Sequence, residues 1–437
     1  MFENVLGQAA AAQLTDDIKS GTLAPAMLFA GPQASGKGTA ALELGRVISC
    51  TVTGDEKAPW GCQCSSCARH RLLIHPDILC LGRRAFSAEV AASAGAFLRE
   101  PESVPSRLLF IRAVRKLLAR FNPVLFDDEP KKGKAAIGDM VVSLEEDIDE
   151  FTALASQNPD ALVKHTERML KSAYKLESEI PAEIPIDRIR RAAWWGRLAP
   201  AGNGKLLLIE NADRMNESAR NSLLKLLEEP PARLTLVLTT SRPGSLLPTV
   251  LSRLRPYRFN ARDAATEADV IRRVFRDTRE ESLSSYLDSF LPVSGETLNS
   301  IAAFFAASAA FKAAVLSKKQ GRQIAEEVVL LGKYSAPKAE AAGFGRPQGE
   351  TGAVVTTVLE KAEKFEIRSL FPRFLFCLLE HVSLSQRAEA FLPSVAYNEV
   401  WKKSISWGEL AVCTYNLTPA IVLEKLFTDL SRGMAEL

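Results

Sequence analysis

Residues 205–255, KLLLIENADRMNESARNSLLKLLEEPPARLTLVLTTSRPGSLLPTVLSRLR, decide the fold class. The stretch opens on a continuous apolar run, Leu206-Leu207-Leu208-Ile209, which Glu210, Asn211 and Asp213 bring to a stop. An uninterrupted apolar run with a polar tip suits a parallel strand covered on both faces. Leu223, Leu224 and Leu227 then recur at helical spacing until Pro230-Pro231, which cannot continue a helix. A second buried strand spans residues 234–240 and ends in Thr239-Thr240-Ser241. Strand, helix, strand with polar tips is half of an α/β nucleotide-binding sheet, where ligands sit beyond the carboxyl ends of the strands.

The N-terminal part supplies the other half. Met27-Leu28-Phe29-Ala30 reads as a short strand, and GPQASGKGT (residues 31–39) follows it and opens a helix. Gly31, Gly36 and Lys37 keep the G-x-x-x-x-G-K spacing of a phosphate-binding loop. In such a loop the backbone N–H groups and the helix N-terminus cradle phosphate oxygens, and the lysine reaches the terminal phosphates. One position departs. The hydroxyl that would ligate Mg2+ belongs directly after the lysine, where this chain has Gly38; it arrives a residue late, at Thr39. The GKGT ending is similar to that of nucleoside monophosphate kinases, so ATP stays open as a ligand while Mg2+-assisted hydrolysis is weakened.

Composition narrows the class. A chain of 437 residues suits two or three domains. A formal net charge of +3, with 24% charged and 47% hydrophobic residues, is ordinary for a soluble globular protein. It gives no case for nucleic-acid binding over the whole surface. With no cationic leader and no apolar run long enough to span a bilayer, a cytoplasmic location is expected.

Of the seven cysteines, Cys50, Cys62, Cys64 and Cys67 crowd into one stretch. Cys80, Cys377 and Cys413 lie among apolar neighbours and read as buried thiols. That distribution favours a reducing compartment with a metal site over a disulfide framework. The four clustered thiolates match a closed, tetrahedral structural Zn2+ site. Their C-x-C-x-x-C end is tight, which leaves unliganded thiols or a partly filled site as alternatives. His70 and His75, close by, read as surface or capping residues rather than ligands.

Together, LLKLLEEPP, the strand ending in Thr-Thr-Ser and the LSR that follows resemble the signature of bacterial DNA polymerase III clamp-loader subunits. These are the gamma/tau and delta-prime subunits, of the AAA+ class. The resemblance implies an α/β fold: an AAA+ P-loop parallel sheet with helices on both faces over residues 1–261, carrying a zinc module at about 50–67. All-α lid (262–333) and collar (353–437) domains would follow, joined by a linker (334–352) rich in glycine and proline. FENVLGQ (residues 2–8) is similar to the segment bordering the family's adenine pocket, and His75-Pro76-Asp77 to the triplet after its zinc module.

From about 85 to 183 the resemblance lapses. This insert holds a basic amphipathic stretch (107–120), a loop-like DDEPKKGK (127–134), the acidic run LEEDIDE (144–150) and a mixed-charge helix (161–177). Arg112, Arg115, Lys116 and Arg120 line up as a basic stripe, whose ordinary reading is a solvated face. A helical hairpin, a partner surface and a partly disordered segment all suit the insert.

The resemblance also assigns roles. At the tip of the Lys205 strand an active AAA+ ATPase carries an Asp for Mg2+ and then a Glu that polarises water. This chain has Glu210 and Asn211, and an amide cannot serve as the base. Thr240 and Ser241 stand where the family senses the γ-phosphate, and SGETLN (294–299) lacks the lid arginine of the gamma type. Arg253, in LSRLR, matches the arginine that the family extends to a neighbour's ATP. The implied nucleotide-binding positions are Gly31, Gly36, Lys37, Gly38, Thr39, Glu210 and Thr240. Arg253 would act in trans, and Cys50, Cys62, Cys64 and Cys67 would hold zinc.

Keeping the finger while losing hydrolytic residues is the delta-prime pattern. It implies a stator in a hetero-pentameric clamp loader of the DNA polymerase III holoenzyme, supporting ATP-dependent loading of the sliding clamp on primed DNA with weak or no ATPase of its own. A gamma/tau-like motor with atypical active-site residues is the alternative. A nucleotide kinase rests on GKGT alone and has no evident acceptor site. A zinc-dependent nucleic-acid module would need a basic recognition helix.

Overall fold

The computed structural model describes all residues except 53, 55–56, 127–131, 155–157, 182, 280, 292, 363–366 and 414–416. The start of DDEPKKGK therefore lies outside the described residues, as does the side chain of Cys413. The chain divides into two compact units, Met1–Phe290 and Leu291–Leu437.

The first unit is built on five parallel strands: β1 (Ala26–Ala30), β2 (Ile78–Leu81), β3 (Lys205–Ile209), β4 (Leu234–Thr240) and β5 (Arg255–Arg258). Their spatial order is β2-β3-β4-β1-β5. Its helices, in chain order, are α1 (Ala9–Lys19), α2 (Lys37–Ser49), α3 (Ser65–Arg71), α4 (Ser87–Arg99), α5 (Val104–Leu118) and α6 (Lys132–Ala153). They continue as α7 (Pro159–Ser178), α8 (Ile186–Arg197), α9 (Glu217–Glu228), α10 (Pro248–Leu251), α11 (Ala264–Phe275) and α12 (Leu283–Asp288).

Side chains alternate along a strand, so a run apolar throughout supplies two faces at once. Leu28, Leu207, Ile209, Leu236 and Leu238 share one core with Ile189 and Trp195 of α8 and Leu223 and Leu227 of α9. Met27, Phe29, Leu206, Leu208 and Val237 share the other with Leu14 of α1 and Leu44 of α2. Register follows the same logic: Leu207 lies opposite Leu236, and Leu238 opposite Leu28. α9 starts where the Asn216 side chain accepts a hydrogen bond from the Ala219 N–H at 2.8 Å, and it stops ahead of Pro230-Pro231.

The insert is a helical subdomain with a core of its own. Phe97, Phe110, Val114, Leu117, Leu144, Ile148, Phe151, Met169 and Leu176, from α4 to α7, are buried together. At the start of α4 the carboxylate of Glu177, from α7, accepts from the N–H groups of Phe86 (3.1 Å) and Ser87 (2.7 Å). That places negative charge at the positive end of the helix. α11 and α12 pack on the same helix, with Val270, Ile271, Phe275 and Tyr286 against Ala92 and Ala96.

The second unit is all helical: α13 (Gly295–Lys319), α14 (Glu326–Ala341), α15 (Thr351–Lys361), α16 (Ile367–Ala388), α17 (Val395–Cys413) and α18 (Pro419–Ala435). One core joins Phe304 and Phe305 to Phe371, Phe374, Tyr397, Trp401, Leu426 and Phe427. α13 is long and apolar enough to cross a membrane, but 67% of its apolar window is buried inside the protein, as in the central helix of a bundle.

Two boundaries differ from the sequence expectation. The stretch expected as a lid, 262–333, is shared between the two units. The expected linker, 334–352, begins inside α14, which runs through Pro337. Proline removes a helix hydrogen bond, yet Ser335 and Ala339 on either side are fully buried, and that packing holds the helix.

Candidate functional site

The glycine loop joins β1 to α2 at the carboxyl end of the sheet. Gly31 donates its N–H to the Thr240 carbonyl at 3.1 Å, and a Cβ there would collide with the Phe259 carbonyl. Gly36 caps α2 at φ +91, a left-handed conformation that L side chains rarely adopt. Gly38 and Thr39 follow in the first turn of α2. Lys37 folds back over the loop, donating to the carbonyls of Gly31 (2.7 Å) and Pro32. Burial draws its ammonium down to about 8. Arg262, which sequence reasoning missed, clamps the loop from outside. It donates to the carbonyls of Leu6 (3.1 Å) and Ala34 and lies 2.8 Å from the place a Gly36 Cβ would take.

At the tip of β3, Glu210 is 5% exposed and already paired. Its Oε2 accepts from Arg120 Nη2 and lies 3.4 Å from Arg84 Nε. Its Oε1 is 2.6 Å from where a Cβ at Gly38 would stand. Arg120 itself is 3% exposed, with its guanidinium 5.1 Å from the centre of the Phe86 ring. Asn211 takes φ +51, donates its side-chain amide to the Arg83 carbonyl (2.7 Å) and its N–H to Thr239 Oγ1 (3.3 Å). The Thr240 hydroxyl donates to Asp213 at 2.7 Å and accepts from the Arg242 N–H at 3.0 Å. A nucleotide-bound Mg2+ does not fit this tip: the carboxylate already holds a guanidinium, and position 38 offers no hydroxyl.

The basic stripe of α5 points inward, against the expectation of a solvated face. Arg112 donates to the carbonyls of His70 (3.3 Å) and Arg71, and Arg115 to that of Leu72 (3.1 Å), at the negative end of α3. Lys116 pairs with Glu89, which Arg84 also holds at 2.6 Å. Burial alone would raise the Glu89 carboxyl, but Arg84 and Lys116 outweigh it and bring it down to about 2. On Lys116 burial dominates and lowers the ammonium.

The four clustered cysteines converge. Their sulfurs all lie within 4.8 Å of one another, with Cys50 Sγ 3.9 Å from both Cys62 Sγ and Cys64 Sγ. A tetrahedron of thiolates around Zn2+ at about 2.3 Å has edges of about 3.8 Å, so this donor set fits the ion. Cys64 caps α3, accepting from the Cys67 N–H at 3.4 Å. Burial pushes the Cys64 thiol up, but the N–H groups of Cys67 and Thr51 outweigh it and bring it to about 6. Arg46, also missed in the sequence, is 1% exposed; it holds the carbonyls of Ala58 (3.0 Å) and Pro59 (2.8 Å) and comes within 3.9 Å of Cys67 Sγ.

His70 and His75, expected at the surface or as caps, are not at the surface: they form a buried pair, stacked at 4.1 Å. His75 Nδ1 accepts from the Asp77 N–H at 3.1 Å, and the Asp77 carboxylate accepts from the N–H groups of Ala201 and Gly202. The triplet thus ties the cysteine segment to the loop before β3. Cys80 and Cys377 are buried thiols.

Arg253 stands just past the end of α10. Its guanidinium donates to the Thr249 carbonyl (2.9 Å) and to Glu228 Oε1 (2.8 Å), and the two side chains of that ion pair are 36% and 51% exposed. Ser294, in SGETLN, caps α13.

A parallel sheet with helices packed on both faces and a glycine loop at the tip of an inner strand defines an α/β protein. Residues 7–263 match the family described as DNA polymerase III, delta subunit, and the chain belongs to that family. It is 35% identical over 112 residues to DNA polymerase III subunit delta' of Pseudomonas aeruginosa, covering 25% of this chain and 34% of that protein. It is 47% identical over 55 residues to subunit delta' of Bacillus subtilis, covering 13% of this chain and 17% of that protein. The match thus spans about a third of the first relative and less of the second. A solved DNA polymerase III gamma subunit-related protein of Thermotoga maritima is 20% identical, covering 57% of this chain and 80% of that one, at a TM-score of 0.25.

Proposed function

We propose that this chain is a delta-prime-like clamp-loader subunit of the AAA+ class, a stator that completes a neighbour's ATPase site. It would sit in a hetero-pentamer of the DNA polymerase III holoenzyme, in the cytoplasm, and support ATP-dependent loading of the sliding clamp on primed DNA. One contrast carries this reading. Glu210, Asn211 and Thr240 are turned to partners inside the chain, while Arg253 lies at the surface, held by an exposed ion pair to Glu228 and by local bonds to Thr249 and Ser252. Exposed pairs are worth roughly 1 kcal/mol or less, so a neighbour's γ-phosphate can outcompete Glu228 for the guanidinium. The planar fork of Arg253 would then neutralise charge developing on that phosphate.

Within the stator, residues 1–261 would form the AAA+ portion, and 353–437 the collar that holds the assembly. Cys50, Cys62, Cys64 and Cys67 would hold a structural Zn2+, which when bound supplies a tetrahedral cross-link between the end of α2 and the start of α3. Gly31, Gly36, Lys37 and Thr39 then serve as a structural relic of the phosphate loop.

ATP hydrolysis by the reconstituted complex tests the reading. Arg253→Ala should lower it by at least about tenfold, towards the 10³–10⁵ seen for arginine fingers elsewhere. Lys37→Ala should leave it within about a factor of two, since Lys37 reaches only its own loop. Brisk hydrolysis by the isolated chain, abolished by Lys37→Ala, would instead establish a gamma/tau-like motor.

A further inference from the structure

We infer that Arg120 is the resident cation of the β3 tip: delivered by the inserted bundle, it takes the place of a divalent ion on Glu210 and keeps this site from responding to Mg2+. The inference goes beyond the stator reading and needs that reading only for where nucleotide would lie.

Five observations converge on it. Glu210 is the carboxylate at the strand tip beside the glycine loop, the position from which a nucleotide-bound metal would be held, and its Oε2 is bonded to Arg120. Its other oxygen presses on Gly38, where any Cβ would come within 2.6 Å. A metal entering this tip would therefore have to displace the guanidinium, and both partners are nearly inaccessible, at 3% and 6% exposed. Taking one partner from a buried pair leaves an uncompensated charge, so the displacement is steeply unfavourable.

The backbone that carries Arg120 is anchored as well. It sits in a 3₁₀ turn, Ala119–Phe121, directly after α5. Leu117, Leu118 and Phe121 on either side are buried in the core of the insert. Arg112 and Arg115, earlier on α5, bind the carboxyl end of α3. The guanidinium itself is 3% exposed and lies 5.1 Å from the centre of the Phe86 ring, so it is enclosed as well as bonded. Arg84, 3.4 Å from the same carboxylate, adds a second positive charge that disfavours a metal.

The native full-length chain provides the first test. A fluorescent ATP analogue should bind equally, within about threefold, in excess Mg2+ and in EDTA, or fail to bind in both. Tightening of about tenfold or more by Mg2+ would overturn the inference. The second test is Arg120→Met, which keeps an apolar stem and removes the guanidinium bonded to Glu210, leaving Arg84 at 3.4 Å. Its melting temperature should rise with added Mn2+, a response absent from the native chain and from the double variant Arg120→Met/Glu210→Gln. A folded Arg120→Met protein indifferent to Mn2+ would refute the proposal; if that variant does not fold, the native titration decides. Neither readout involves the assembled complex, so the Arg253 experiment and this one can fail separately.

Discussion

Glu89, half-buried between Arg84 and Lys116, shows how single residues of this chain answer one another's charge. Its carboxyl lies near 2 in the folded protein against an ordinary 4.5. The group therefore stabilises the fold fully above pH 4.5, and that contribution fades as pH falls from 4.5 towards 2, where the folded form also protonates. Urea unfolding of Glu89→Gln should show a loss of up to roughly 3 kcal/mol at pH 7 and much less near pH 3. Equal losses at both pH values would contradict the assignment. Spacing marks the four cysteines and the glycine loop in the sequence, whereas Arg253 is marked by the resemblance of LSRLR to the family's motif. The roles of Arg46, Arg84, Arg120 and Arg262 are marked by neither. Nothing in the period of α5 says which arginine meets a carboxylate in another element, and Glu210 lies ninety positions further along the chain from Arg120.

Among the elements, β3, α9 and β4 fall within a residue or so of the sequence expectation, because an unbroken apolar run and a double proline leave few options. Leu207, wholly buried between β2 and β4, should cost about 2–5 kcal/mol as Leu207→Ala in chemical denaturation. Asn216→Ala, which removes only the α9 cap, should cost about 1 kcal/mol in the same assay. The insert was harder to read. Its aromatic contacts, such as Phe97 against Phe151 at 4.9 Å, join α4 to α6, and sequence periodicity reports a helix's apolar face without naming its partner. α14 was mistaken in part for linker because Pro337 is a strong local breaker, and only tertiary burial overrides it.

For the whole molecule, separate cores in Met1–Phe290 and Leu291–Leu437 predict separable thermal behaviour. Metal analysis of the purified chain should give about one equivalent of zinc, lost in Cys62→Ser/Cys67→Ser. In calorimetry of the full chain, chelation should lower the transition of the first unit, whereas Phe305→Ala should lower that of the second. A single transition moved by both changes would show that the two cores melt as one. The division at Phe290 was not visible in the sequence, since glycine and proline mark a loop without saying which helices share a core.

The oxygen of Glu210 that rests on Gly38 also limits what position 38 can accommodate. Restoring a hydroxyl at position 38 would meet that oxygen before any metal could arrive, and shifting the carboxylate would strand the guanidinium behind it. Under the stator proposal, equipping this tip for hydrolysis would therefore involve position 38, Glu210 and Arg120 together rather than one at a time.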